Sequence, residues 1–165
     1  MSRSVPAVLT ALLAAAAAGC VPSPAARYAS DMGRFTHQAR EAHARWEKSD
    51  LSVPDIQKYA QVLRAYLLTP GDRADADSGA LYAKALALVE AYEALSKHIE
   101  DRKAASDEWT KLKLARGPDD ADVKASEAKL QDLGRQGPEL AQAVRQKGGE
   151  YLAAYDELLK RLPPT

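Results

Sequence analysis

Residues 80–117 read ALYAKALALVEAYEALSKHIEDRKAASDEWTKLKLARG, and this stretch decides the fold. Within it Leu81, Ala85, Leu88, Tyr92, Leu95 and Ile99 recur at steps of 4, 3, 4, 3 and 4. That spacing stacks the apolar side chains on one face of an α-helix and does not fit the two-residue period of a strand. Past Ile99 the periodicity thins, but Trp109 and Leu112 carry it on toward Arg116. Gly117-Pro118-Asp119-Asp120 then reads as a turn, glycine closing one helix and proline with acids opening the next. A helix from Ala80 to Gly117 would run ~57 Å.

The same pattern extends outward in both directions. Toward the C-terminus Val123, Leu130, Leu133, Leu140, Val144, Tyr151, Tyr155, Leu158 and Leu162 keep one register. That register survives Gly134-Arg135-Gln136-Gly137-Pro138, which predicts a kink or a tight break between collinear helices there, with Gly148-Gly149 as a second weak point. Pro163-Pro164 ends the pattern. Toward the N-terminus Tyr28, Met32, Phe35, Ala39, Ala42 and Trp46 predict a helix over 25–49. Ile56, Ala60, Leu63 and Leu67 predict another over 53–68, opened by a Ser52–Asp55 capping box with Leu51 stapled onto Ile56. Residues 73–77 read as a polar loop, with Asp77 or Ser78 as the next cap. The expected fold is all-α: an antiparallel bundle of about four helices with a long C-terminal helical hairpin, occupying residues 25–165. Residues 101–131 are the most charged part and the poorest in large apolar side chains. They leave two outcomes open: a thin two-helix tip projecting beyond the bundle, or a tip that folds back or is simply solvated.

The length of 165 residues fits one domain. The chain has 23 basic and 23 acidic side chains, a balance that argues against nucleic acid as a partner, since that partner demands a basic excess. Cys20 is the only cysteine and has nothing in the chain to pair with. It ends a segment with Arg3 as a short positive region and Val5 to Ala18 as a mostly apolar run. That run has the length of a signal-peptide core and is shorter than the ~20 apolar residues that span a bilayer.

Ala17-Ala18-Gly19-Cys20 resembles the lipobox of bacterial lipoproteins. The resemblance covers about the first twenty residues and departs from the usual pattern at Ala17, where that family commonly has Leu. It implies a diacylglyceryl group on the Cys20 sulfur, a cut between Gly19 and Cys20, and removal of residues 1–19 as a signal peptide. It also implies a membrane as partner, through the lipid on Cys20. Val21 follows the cysteine; in Gram-negative bacteria the absence of Asp there favours the outer membrane, facing the periplasm. Ordinary signal-peptidase cleavage after Ala18 is the competing reading. Residues 20–24, with Pro22 and Pro24, form a short stiff link that holds the folded part within ~14 Å of the anchor.

Catalytic and metal chemistry find little support in the sequence. His37 and His43 lie six apart on different helix faces, so they are not the paired ligands of a zinc helix; His37–Glu41 and His43–Glu47 read as surface pairs. Asp75-x-Asp77-x-Gly79 lacks the Gly and Glu that a calcium loop needs, and capping accounts for its acids. There is no haem, phosphate-loop or nucleophile-elbow motif, and no catalytic residue, metal ligand or cofactor is assigned. Two weaker candidates stand out. Trp109 and Leu112 are expected to fall near Ser126 and Val123 and to offer a partner contact, either to another envelope protein or to a second copy. Tyr92, Tyr151 and Tyr155 lie on core stripes and offer a groove for a ligand, with boundary packing as the plainer reading. The functional expectation is a lipid-anchored helical interaction or scaffold module, not an enzyme; the alternative is a bundle that binds a small molecule or lipid.

Overall fold

A computed structural model describes residues 22–71 and 75–162. Gly19, Cys20 and Pro163-Pro164 lie outside the described residues. The described residues form five helices: α1 (Pro24–Asp31), α2 (Gly33–Glu47), α3 (Val53–Tyr66), α4 (Ala76–Arg116) and α5 (Ala121–Arg161). Among the described residues there is no strand.

The helix expected over 25–49 is two pieces. α1 starts one residue earlier, at Pro24, with the Ser23 hydroxyl accepting from the Ala26 amide at 3.1 Å. Proline suits that first helical position because its missing N–H would have no partner there. The link after Cys20 is thus shorter than the sequence suggested. Between α1 and α2 the turn at Met32, just before Gly33, interrupts the helix, yet Met32 still donates to the Tyr28 carbonyl and accepts from Thr36. α1 and α2 therefore act as one column. α2 closes with Ser49 in the left-handed region (φ 54°), where the Ser49 amide reaches the Trp46 carbonyl and the Asp50 amide reaches that of Arg45. This is the usual way to satisfy the last carbonyls of a helix, although glycine is the commoner residue for it.

The Ser52–Asp55 capping box forms as read. Asp55 also receives both arms of the Arg45 guanidinium, at 2.8 and 2.7 Å, and so ties the end of α2 to the start of α3. α4 is capped by Asp75, which accepts from the Ser78 amide at 2.8 Å, and not by Asp77 or Ser78. Asp77 instead pairs with Arg161 across the hairpin at 3.1 Å. α5 runs unbroken through Gly134–Pro138 and Gly148-Gly149, so the anticipated break is absent. Pro138 removes one backbone donor, and 41 continuous residues packed along α4 outweigh that single loss.

The columns run up, down, up and down. Tyr28 reaches Leu68, Trp46 reaches Tyr92, Arg64 pairs with Glu93, and Arg145 with Glu47. Phe35, Met32, Tyr59, Leu63, Leu88, Val89, Val144 and Tyr151 form the buried centre. On α4 that core ends at Leu95 and Ile99, and on α5 it begins at Leu140. The two long helices continue past it, because 41 residues reach ~62 Å while the 14 of α3 reach only ~21 Å. The projecting tip is the outcome realised: residues 101–136 form an arm of two helices, touched at its foot by the start of α3 near Val53.

Candidate functional site

The arm is built on a narrow seam. Ala105, Val123 and Ser126 are buried between the limbs, and Glu108 and Lys129 pair across it at 3.6 Å. At the end, Gly117 takes φ 85°, a conformation glycine adopts freely, and its amide reaches the Lys113 carbonyl. The Asp120 carboxylate caps α5 through the Asp122 amide, and Arg116 bonds the Asp122 carboxylate.

Trp109 and Leu112 sit on this arm, each half-buried. Leu112 shares a cleft with Ser126. The Lys113 ammonium lies over the Trp109 ring, 4.4 Å from its centre, and the Trp109 indole N–H is buried with no acceptor among the described residues. Leu114, at 85 % exposure, is the most exposed large apolar side chain among the described residues. Among the described residues, the arm thus presents apolar surface with no further layer of protein over it.

The tyrosines are placed differently. Tyr92 and Tyr151 are fully enclosed and Tyr155 nearly so. The Tyr151 hydroxyl shares a 2.6 Å hydrogen bond with Thr36, Tyr155 donates to the Ala29 carbonyl at 3.1 Å, and Tyr92 accepts from the Trp46 indole at 2.9 Å. Two more hydroxyls are used the same way: Tyr28 donates to the Leu68 carbonyl at 2.7 Å and Tyr59 to Glu41 at 2.9 Å. Burial pushes Tyr28 up to about 12 and raises Tyr92 and Tyr151 as well. These rings fill the bundle and their hydroxyls stitch its columns together. None of the described surface clefts is lined by Tyr92, Tyr151 or Tyr155, so the groove drawn from their spacing has no counterpart there.

The histidines show an arrangement that sequence spacing did not reveal. His43 on α2 packs against Gly148, where an added Cβ would stand 3.0 Å from its Nδ1. His98 on α4 packs against Gly137 in the same way, at 3.4 Å from its Nε2. Each of those nitrogens is buried without a hydrogen-bond partner among the described residues. The glycines that looked like weak points in α5 are notches that admit an imidazole. His43 also lies 3.9 Å from Glu47, the pair read from the sequence. Among the described residues no three His, Cys, Asp or Glu side chains are grouped to hold a metal ion. No helix among them is long and apolar enough to cross a membrane. Comparison with protein-family models, with curated proteins and with solved structures finds no match, so the reading of function rests on the residues and geometry above.

Proposed function

We propose that this chain is a lipid-anchored envelope protein that works as an interaction or scaffold module, with the bundle as its body and the arm as its contact element. The observation that carries the reading is an opposition of ends. α1 begins at Pro24, close after Cys20, and packs where α4 starts and α5 finishes. The half-covered seam of Trp109 and Leu112 lies toward the far end of α4, ~50 Å away. A lipid on Cys20 would hold the first end at a bilayer and leave the second end free to meet something else.

A photocrosslinking residue in place of the exposed Gln131 tests the contact in the full chain. The expected result is a discrete adduct that disappears when Trp109→Ala and Leu112→Ala are combined, while the thermal melt stays cooperative. Loss of the cooperative melt would make those residues part of the core instead. A second reading, small-molecule or lipid binding, is favoured by one cleft of about 440 Å³ at the foot of the arm. It is lined by Val53, Leu95, Ile99 and Arg102 beside the unpartnered His98. A thermal shift with a lipid panel, abolished by Arg102→Gln, would favour it.

A further inference from the structure

Resting on that reading of the arm, we propose that its partner is the arm of a second copy of this chain, the two lying side by side and pointing the same way. Four helices in cross-section bury the core of the body, whereas the arm has two. A second arm supplies the missing pair.

Charge and register say how they meet. Successive helical residues turn by about 100°, so Trp109 and Lys113 share one flank of α4, while Glu127 and Gln131 share the flank of α5 on the same side of the seam. Glu108, Leu112 and Lys129 converge on the opposite side, which fixes this assignment. Lys113 and Glu127 have no ion-pair partner among the described residues. A two-fold axis parallel to the arm, with these flanks in contact, sets α4 of one copy over α5 of the other. Glu108 stands level with Lys129, so Lys113 stands level with Lys124, and Glu127 is three residues from that, ~4.5 Å along the axis. Each Lys113 then meets Glu127 of the second copy, twice by symmetry.

The area sets the strength. A face of ~24 by ~20 Å buries ~480 Å² on each copy and ~1,000 Å² in all, the low end for specific contacts. The pairing is therefore weak in solution and is reinforced when two chains are held on one membrane.

Sedimentation of the full chain in a nonionic detergent tests this through a charge-swap cycle. The wild type is expected to show a dimer fraction that rises with concentration and falls several-fold with added salt. Lys113→Glu and Glu127→Lys should each abolish it without lowering the melting temperature, and the double variant should restore it. A wild type monomeric at every concentration, single variants that still dimerise, or a double variant that stays monomeric overturns the proposal. The Gln131 crosslink separates this failure from that of the wider reading. An adduct of twice the chain mass supports the paired arms. An adduct of any other mass overturns self-pairing and leaves the arm as a contact element. No adduct overturns both.

Discussion

α4 lives in two environments. From Leu81 to Ile99 it packs against α1, α3 and α5, and its apolar stripe is buried almost throughout. Beyond Asp101 its neighbour is the opposing limb, with the start of α3 only at the foot, and on α4 only Ala105 is enclosed. The same backbone geometry thus gives a rigid body at one end and a thin, charged arm at the other. The difference is in side chains: the body stripe of α4 is mostly large, Leu81, Leu88, Tyr92, Leu95 and Ile99 with Ala85 among them, and the arm has Ala105, Trp109 and Leu112 among charges. Burial of apolar area at ~25 cal/mol per Å² is the main favourable term, so stability concentrates in the body and the arm is held by its attachment to it.

The largest expected contrast is in side-chain truncation. Leu88→Ala, in the body, should cost about 2–5 kcal/mol in denaturant unfolding because the enclosed cavity cannot collapse. Val123→Ala, in the seam, should cost only ~1 kcal/mol, since two limbs can close over a small gap. Equal costs would erase the distinction drawn between the two regions.

Alkali should separate them next. Tyr28, Tyr92 and Tyr151 all titrate above the ordinary 10.0 in the folded state, Tyr28 near 12, chiefly because burial disfavours the phenolate. Their contribution is complete below pH 10.0 and is lost as pH rises toward and past 12. No tyrosine lies between residues 101 and 136, so alkali should melt the body with no titrating tyrosine in the arm. Phenolate absorbance and helicity followed together should change as one transition; phenolate appearing well before helicity falls would contradict the buried hydroxyl network.

Acid should act on the joint between α2 and α3, alongside the other carboxylates held low by their partners, Glu47, Asp75 and Glu93 among them. Asp55 is held well below the ordinary 3.8 by its hydrogen bonds to Arg45 and then Ser52. Its contribution is present above that ordinary value and is lost as pH falls below it. Asp55→Asn should remove this part of the acid dependence and loosen the turn between α2 and α3, as read by amide exchange at residues 48–55. An unchanged acid limb in the variant would show that the fork matters little.

The smallest contrast compares two glycines of α5. An added Cβ at Gly134 meets nothing, so Gly134→Ala should stabilise by ~1 kcal/mol through helix propensity alone. At Gly148 the same Cβ would crowd His43 Nδ1 at 3.0 Å, so the imidazole must give way and the gain should be cancelled or reversed. Thermal melts of the pair decide it; equal gains would mean that the His43 notch is not tight.

Much of this fold was legible because a helical stripe is a local property. The Leu81–Ile99 spacing located the core face of α4, the Gly117–Asp120 turn located the hairpin, and Ser52 with Asp55 located a cap. Other features depended on which columns face each other. Gly137 and Gly148 looked like helix breakers until His98 and His43 were found opposite them. Tyr92, Tyr151 and Tyr155 shared a spacing that suggested a groove, but a tyrosine hydroxyl finds its partner through tertiary register, and each found one inside the body. Asp75 takes the cap through the Ser78 amide and hydroxyl, and Asp77, within the first turn, pairs across the hairpin with Arg161. The projection of the arm was a matter of length: α4 and α5 run on past the start of α3 near Val53.

The central claim is that the end opposite the arm is held at a membrane through Cys20. The mass of the full chain after expression in a bacterial host, wild type beside Cys20→Ser, tests it most directly. The account predicts a mature N-terminus at Cys20 carrying acyl mass, and loss of that mass in the variant. A wild-type chain cut after Ala18 with no added lipid would contradict it.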